Sequence, residues 1–448
     1  MSMELSASLF EQRMAKEYGD RLARYKEAWE YYNGNHDKSL AVKTGQADDN
    51  VTINLARLIV DKGAAFLFGK EPTFELQEGE ATAAEEALGL FWQANRKMTL
   101  LNSVALMGGI YGDVFIKIIP QESDPPRLVN LMPQDVRAFT EPDDIEAVYR
   151  YVIQFTSLGK DGKALTKRQK IEREDNGTWM ILNKVSLGAG KWEADPDNPD
   201  VSWGYQWAPI FHAQNLLSPG SYYGFSDLED VSEQDAINYI ASKVQRILRF
   251  HAHPKTIGKD FKPGDLETNE DDVLILPSAT SDLFNLEMQS DLSAALTFMD
   301  RLTNWYLATS RIPRIDPAVI NVGSLSGFAL RVLYGDLLEK TNVKQKTYGD
   351  MLIDLNRRVL ELGGQGEENM TRIHWPDPLP EDERATVEGY KFDLDYQVAS
   401  VKTIRSRRGY DQNVEEERIQ NQEVAQGNIG AQLVRNFNAG QQTGIETQ

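Results

Sequence analysis

Few residues of this 448-residue chain stand at spacings that chemistry requires. Gly188-Ala189-Gly190-Lys191 has the look of a phosphate loop, in which backbone N–H groups cradle a phosphate and a lysine reaches it. Position 185 is Val where the first glycine belongs, and Trp192 replaces the Ser or Thr that would hold magnesium, so the segment reads as a turn. His251 and His253 are two apart, which puts them on different faces of a helix, and no carboxylate pattern completes a metal site. His36, His212 and His374 are isolated in the sequence. Acidic pairs such as Asp143-Asp144 and Asp271-Asp272 read as solvated surface rather than a two-metal centre. No nucleophile elbow, zincin motif or dinucleotide fingerprint is present, and the lack of cysteine removes thiol catalysis, disulfides, Cys-ligated zinc and iron–sulfur clusters. The expectation is a non-enzyme, with no catalytic residue, metal or cofactor.

The remaining candidates are cations. Lys340 and Lys344 are four apart on a helical stretch and Lys346 is close, which offers a positive face to phosphates; solvated helix surface paired with Asp336 and Glu339 is the other reading. Arg311 and Arg314 flank a loop, 313–327, that carries two prolines and two glycines. Lys402, Arg405, Arg407 and Arg408 form the densest basic cluster, but Glu415-Glu416-Glu417 follows it, and ion pairs between subunits are the stronger reading. These cations sit in a chain with 48 Lys and Arg against 68 Asp and Glu, a net charge of -20. That balance argues against a protein that grips nucleic acid over its whole surface.

The elements that must carry these residues follow from periodicity. A helix is expected over 5–32, with Leu22, Tyr25, Trp29 and Tyr32 on one apolar face. A second spans 54–68 before the stop Gly69-Lys70-Glu71-Pro72, and a third runs from 81 to 95 and on to 107. Residues 113–217 read as antiparallel β structure, with strands at 114–119, 147–155 and 179–185 between Asp-Gly, Asn-Gly and Pro turns. Ser226 and Glu229 form a capping box that opens a helix over 227–252, striped by Leu228, Val231, Ile237, Ile240, Val244, Ile247 and Leu248. A similar helix begins near Asp291, with Leu292, Leu296, Met299, Leu302 and Trp305 facing one way. The insert between them holds three Lys against eight acidic residues and is too small for a core of its own, which points to side-by-side assembly. A long helix over 328–362 ends at Gly363-Gly364, with Gly335 and Gly349 as kink positions. No apolar run reaches the roughly 20 residues of a membrane span, and the N-terminal stretch lacks a signal-peptide core. The tail from about Gly427, rich in Gln, Asn and Gly, reads as disordered.

This order resembles the portal protein family of tailed double-stranded-DNA bacteriophages, in its siphophage-like branch. The likeness is carried by Tyr31-Tyr32-Asn33-Gly34-Asn35-His36, by 54–69 with Lys70-Glu71-Pro72, by Tyr111-Gly112-Asp113, by Met132-Pro133, by Tyr223-Gly224-Phe225-Ser226-Asp227-Leu228 and by Ser326-Gly327-Phe328-Ala329-Leu330-Arg331. Each is a short turn or cap; their order and spacing across 30–425 make the match. The resemblance implies a mainly helical α+β subunit of a ring, normally twelve-fold, at one capsid vertex, through which DNA is packaged and ejected. It implies a wing over 1–225, stem helices over 226–253 and 291–312, a clip over 254–290 and a tunnel loop over 313–326. A long kinked helix returning to the wing over 327–379 and a helical crown over 380–430 follow, before the tail at 431–448. Val319, Ile320, Val322 and Leu325 would narrow the channel, and Arg311, Arg314, Lys340, Lys344 and Lys346 would contact DNA. The acidic clip residues Asp265, Glu267, Glu270, Asp271 and Asp272 would dock the terminase large subunit and later a head-completion adaptor, with major capsid and scaffold proteins as further partners and no membrane. Assembly in the host cytoplasm and residence in the virion follow. The alternative is another capsid-associated head–tail connector or scaffold protein without a DNA-translocating channel.

Overall fold

A computed structural model of the chain describes residues 2–45, 47–76, 82–121, 124–158, 162, 164–186, 191–252, 255–260, 280, 282–286, 292–314, 327–364, 370–379, 383–407, 415 and 418–419. The chain divides into two units, Met1–Leu379 and Pro380–Gln448. The first begins with α1 (Ser2–Asn33) and α2 (Leu55–Phe68). Asn54 caps α2 by accepting the Arg57 N–H at 2.9 Å. Tyr25, Ala28 and Tyr31 of α1 are buried, whereas Trp29, expected on the apolar face, is 42% exposed and stacks on Tyr111. β1 (Thr73–Leu76) follows.

The single helix expected from 81 to 107 is two, α3 (Thr82–Ala94) and α4 (Lys97–Tyr111). The physical reason is Asn95, whose amide donates to Phe91 O and Pro126 O and accepts the Leu128 N–H, so that the chain turns at Arg96 with φ of 51°. α4 ends at Gly112, with φ of 85°, where a Cβ would lie 2.8 Å from the 224–226 backbone; glycine is required on both counts.

The expected antiparallel region is present. β2 (Asp113–Ile119) is central between β3 (Arg127–Leu131) and, later in the chain, β10 (Ile210–Gln214). A larger sheet runs in the order β4 (Val136–Thr140), β5 (Val148–Leu158), β6 (Ala164–Arg173), β7 (Trp179–Ser186), β8 (Glu193–Ala194), with β9 (Val201–Ser202) also on β7. One face of that sheet buries Tyr151, Ile153, Ile171 and Trp179 in a core shared with α3, α4 and the later α8 (Gly335–Leu362). A second core gathers Tyr25, Ile59, Val60, Ile110, Ile237, Tyr306 and Leu337.

The capping box does not open a helix. Ser226 Oγ is drawn to Gly109 O and Ile110 O, and the helix α5 starts later, at Ser232–Ala252. Its apolar stripe buries Ile237 and Val244 but leaves Leu248 exposed. The more telling face is polar. Gln234, Asn238 and Ser242, at four-residue steps, are buried and bond the segment at 51–54 and the start of α2: Leu55 N–H to Gln234 Oε1 at 2.9 Å, Ile53 N–H to Asn238 Oδ1 at 2.9 Å and Val51 N–H to Ser242 Oγ at 3.0 Å. β11 (Lys255–Lys259) pairs antiparallel with β12 (Asp282–Leu286), ahead of α6 (Ser293–Thr309). The long helix is broken at Tyr334 into α7 (Gly327–Leu333) and α8 (Gly335–Leu362), in agreement with a kink at Gly335; Gly349 lies inside uninterrupted helix. β13 (Thr371–His374) pairs with β1. The second unit contains α9 (Glu383–Asp395) and α10 (Val401–Arg407), the latter capped by Ser400 Oγ. No helix among the described residues is long and apolar enough to cross a membrane.

The polar ladder makes a direct prediction. Gln234→Leu removes the acceptor of the Leu55 and Ala56 N–H groups while adding apolar bulk, and is expected to destabilise the fold by about 1–3 kcal/mol in chemical denaturation.

Candidate functional site

The chemistry of the fold concentrates where α4 and α8 meet the segment around Asp227. Its side chain is fully enclosed and receives Lys344 Nζ at 2.6 Å and Lys340 Nζ at 3.0 Å. Asn215 Nδ2 donates to Oδ1, the oxygen that Lys340 also holds, at 3.3 Å, and Tyr348 OH donates to Asn215 Oδ1 at 3.2 Å. Asp227 N–H donates to Gly109 O, and a Cβ on Gly109 would come 3.1 Å from Asp227 Oδ2 and 2.9 Å from Val60, so α4 passes this close only without a side chain. Burial alone would raise the Asp227 pKa, but the Lys344 and Lys340 charges overcome it and hold the carboxyl down at about 2. Lys344 is lowered, first by its own burial, with Asp227 opposing and Lys340 adding to the effect.

Lys340 has a second task. Its Nζ also donates to Ser310 O at 3.2 Å, just after α6. Beyond Ser310, Arg311 holds a left-handed φ of 60°, and Ile312 is buried with its N–H on Leu307 O at 2.8 Å. Arg314 donates to Asp300 Oδ1 at 2.6 Å and Asn304 Oδ1 at 2.8 Å, back along α6. The chain entering residues 315–326 is thus anchored by an ion cluster, a buried isoleucine and an ion pair. On the exit side, Arg331 pairs with Asp377, while Phe328 and Val332 stand exposed. A cleft of about 550 Å³ lies beside Ser310, bordered by Leu217, Glu229, Asp230, Glu233 and Arg311.

A second buried carboxylate, Asp113, accepts Tyr25 OH at 2.5 Å, His212 Nε2 at 2.9 Å and the Gly224 N–H at 2.9 Å. His212, isolated in sequence, is held between the rings of Phe115 and Tyr222. Burial first and then the Asp113 charge push the Tyr25 phenol well above its ordinary pKa, so it remains a donor to the carboxylate.

The structure therefore corrects part of the sequence reading. Lys340 and Lys344 are buried ion-pair partners of Asp227, not a positive face for phosphates, because their side chains point into the core rather than to solvent. Lys346, Arg311 and Arg314 are exposed, and Arg314 is already engaged by Asp300. Val319, Ile320, Val322 and Leu325 lie outside the described residues, as do Asp265, Glu267, Glu270, Asp271, Asp272, Arg408 and the turn at 187–190. Asp227, Asp113 and the Gln234, Asn238, Ser242 series were not singled out from sequence for these roles; four-residue spacing of amide and hydroxyl side chains on α5 was the available signal. Among the described residues no group of His, Asp and Glu is placed to hold a metal ion.

A family model described as phage portal protein, SPP1 Gp6-like, matches residues 12–428. No curated protein matches the chain. Among solved structures, the chain is similar to one from the neck of an empty GTA particle computed with C6 symmetry, at 12% identity and a TM-score of 0.42 over 79% of this chain and 88% of that one. It is also similar to a chain from the virion of a native gene transfer agent particle, at 13% identity and a TM-score of 0.40 over 79% and 88% of the two chains.

Asp227→Asn leaves two buried lysines without a counter-charge and is expected to cost about 3–5 kcal/mol in denaturant unfolding. Because the folded pKa of Asp227 is about 2 against an ordinary 3.8, its contribution is fully present above pH 4 and lost as pH falls toward 2. An acid titration of stability is expected to show that loss in the wild type and to lack it in Asp227→Asn.

Proposed function

The chain belongs to the SPP1 Gp6-like phage portal family, and from that premise we propose how its parts serve a DNA gateway. It is a phage portal protein, of a family that is structural and whose general role is a DNA channel; the subunits form a homo-oligomeric ring in the virion. The match over 12–428, nearly the whole chain, is the observation that carries this reading. Our proposal adds a ring of twelve subunits, assembled in the host cytoplasm. At -20 per subunit such a ring carries about -240, and an acidic wall repels phosphates and keeps a duplex mobile.

In this reading residues 1–225 are the wing, 226–253 and 291–312 the stem, 254–290 the clip, 313–326 the tunnel loop, 327–379 the kinked helix with its return to the wing, and 380–430 the crown. The stem and clip assignments are supported by α5 and α6 flanking the β11–β12 hairpin. Val319, Ile320, Val322 and Leu325 form the constriction, a role supported by their apolar character in a segment whose entry is tethered at Ser310, Ile312 and Arg314. Arg311, Arg314 and Lys346 are the cations left to meet DNA. Asp265, Glu267, Glu270, Asp271 and Asp272 dock the terminase large subunit and then a head-completion adaptor, and major capsid and scaffold proteins meet the outer ring.

Negative-stain imaging of the purified protein is expected to show annular particles with a central hole; a compact monomer at high concentration would defeat the ring. Ile320→Lys or Val322→Lys is expected to impair DNA packaging while rings still assemble, and normal packaging by both variants would remove these residues from the constriction.

A further inference from the structure

The largest sheet has one face in the core and one toward solvent, and the solvent face is strongly basic. Alternation along the strands settles which residues share it. Tyr151, Ile153, Ile171 and Trp179 are buried, so their neighbours face outward. By register, Arg137 sits opposite Val152, Val152 opposite Lys170 and Lys170 opposite Leu182. The adjacent rows set Gln154 beside Arg168 and Arg168 beside Lys184, and Arg150 beside Glu172. Five cations, Arg137, Arg150, Arg168, Lys170 and Lys184, thus share the strand face with one carboxylate, Glu172, which already serves Arg150 and Lys170. Arg168 and Lys184 are like charges directly opposite each other, an arrangement that destabilises a sheet unless something anionic covers it. Trp192, stacked under the Arg168 guanidinium at 3.8 Å, and the half-buried Val152 and Leu182 give the patch apolar ground.

The same sheet ends in the opposite charge. The turns after β4 and after β6 lie at one end, since Thr140 pairs with Val148 and Arg173 with Trp179. They expose Asp143, Asp144, Glu146, Glu174 and Asp175, with Ile145 42% exposed among them. The nearby Arg173 is held by Glu141 at 2.6 Å.

We propose that the basic outer face around Arg168 and Lys184 docks the acidic turns of a second copy of this chain, so that the sheets of neighbouring subunits join head to tail around the ring. The inference rests on the ring reading above. A closed ring requires two different, complementary surfaces on each subunit, and this one sheet carries both signs. In a chain of net charge -20, a basic face that meets an acidic turn of the next copy also fixes the order of subunits, because the reversed contact sets like charges together.

The test uses full-length chains with opposite charge reversals. Arg168→Glu, Lys170→Glu and Lys184→Glu together make both surfaces acidic; Asp143→Lys, Asp144→Lys, Glu146→Lys and Asp175→Lys together make both basic. Each variant alone, with wild-type circular dichroism as a folding control, is expected to form rings at least about tenfold less well than wild type by native mass spectrometry. Mixing the two is expected to restore rings with alternating subunits, since every contact then pairs opposite signs, and all seven reversals in one chain are expected to restore them too. Rings at wild-type yield from either variant alone overturn the docking while the ring reading stands. If those rings instead retain less duplex DNA on a filter, the basic face is a phosphate contact and the proposal fails in favour of DNA. A wild type that forms no rings defeats both readings.

Discussion

Two ammonium groups and one carboxylate, withdrawn from water between α4, α8 and the 224–228 segment, set the terms for the rest of this molecule. Charges that deep are tolerated only when paired and hydrogen-bonded, and here both Asp227 oxygens are held, Oδ2 by Lys344 and Oδ1 by Lys340 and Asn215. The lysines come from α8, far from Asp227 in the chain, and Asn215 from just after β10, so the pairing fixes tertiary geometry rather than local structure. Because Lys340 also reaches Ser310 O, the same cluster tethers the chain that leads into 315–326. A charge that serves as an internal strut is unavailable to DNA. The acidic character of the chain is correspondingly a surface property, and the lysines that stabilise the interior add nothing to its attraction for phosphates.

Polar burial recurs as the means by which separate segments are joined. The segment at 51–54 and the first turn of α2 have their N–H groups satisfied by Gln234, Asn238 and Ser242 from α5. Arg246 and Arg249 extend the attachment to Asp49 at 3.1 and 2.8 Å. α1 is secured in a similar way through Tyr25 on Asp113. A helix bound through a polar ladder has a fixed rotation and a fixed register, which an apolar stripe alone would leave looser. That fixes which side chains of α5 remain outside, Tyr239, Leu248 and Phe250 among them.

The sequence by itself determined the kinds and order of the elements and the absence of enzymatic motifs, because periodicity, turn residues and catalytic spacings are local properties. It placed the N-terminal helix, the antiparallel region, the two helices around a small insert and the break near Gly335, and its short turns carried the resemblance that the family match across 12–428 bears out. Only the tertiary structure decided where helices stop when a distant partner competes. Ser226 keeps its local contacts with Leu228 and Glu229, yet its hydroxyl is also bound to Gly109 O and Ile110 O and the helix starts only at Ser232, and Asn95 splits an otherwise continuous helix by reaching Pro126 and Leu128. It also decided which of two lysine readings holds. A lysine pair four apart looks the same whether it faces water or a buried aspartate more than a hundred residues away, and that distinction rests on long-range contacts, to which periodicity is blind.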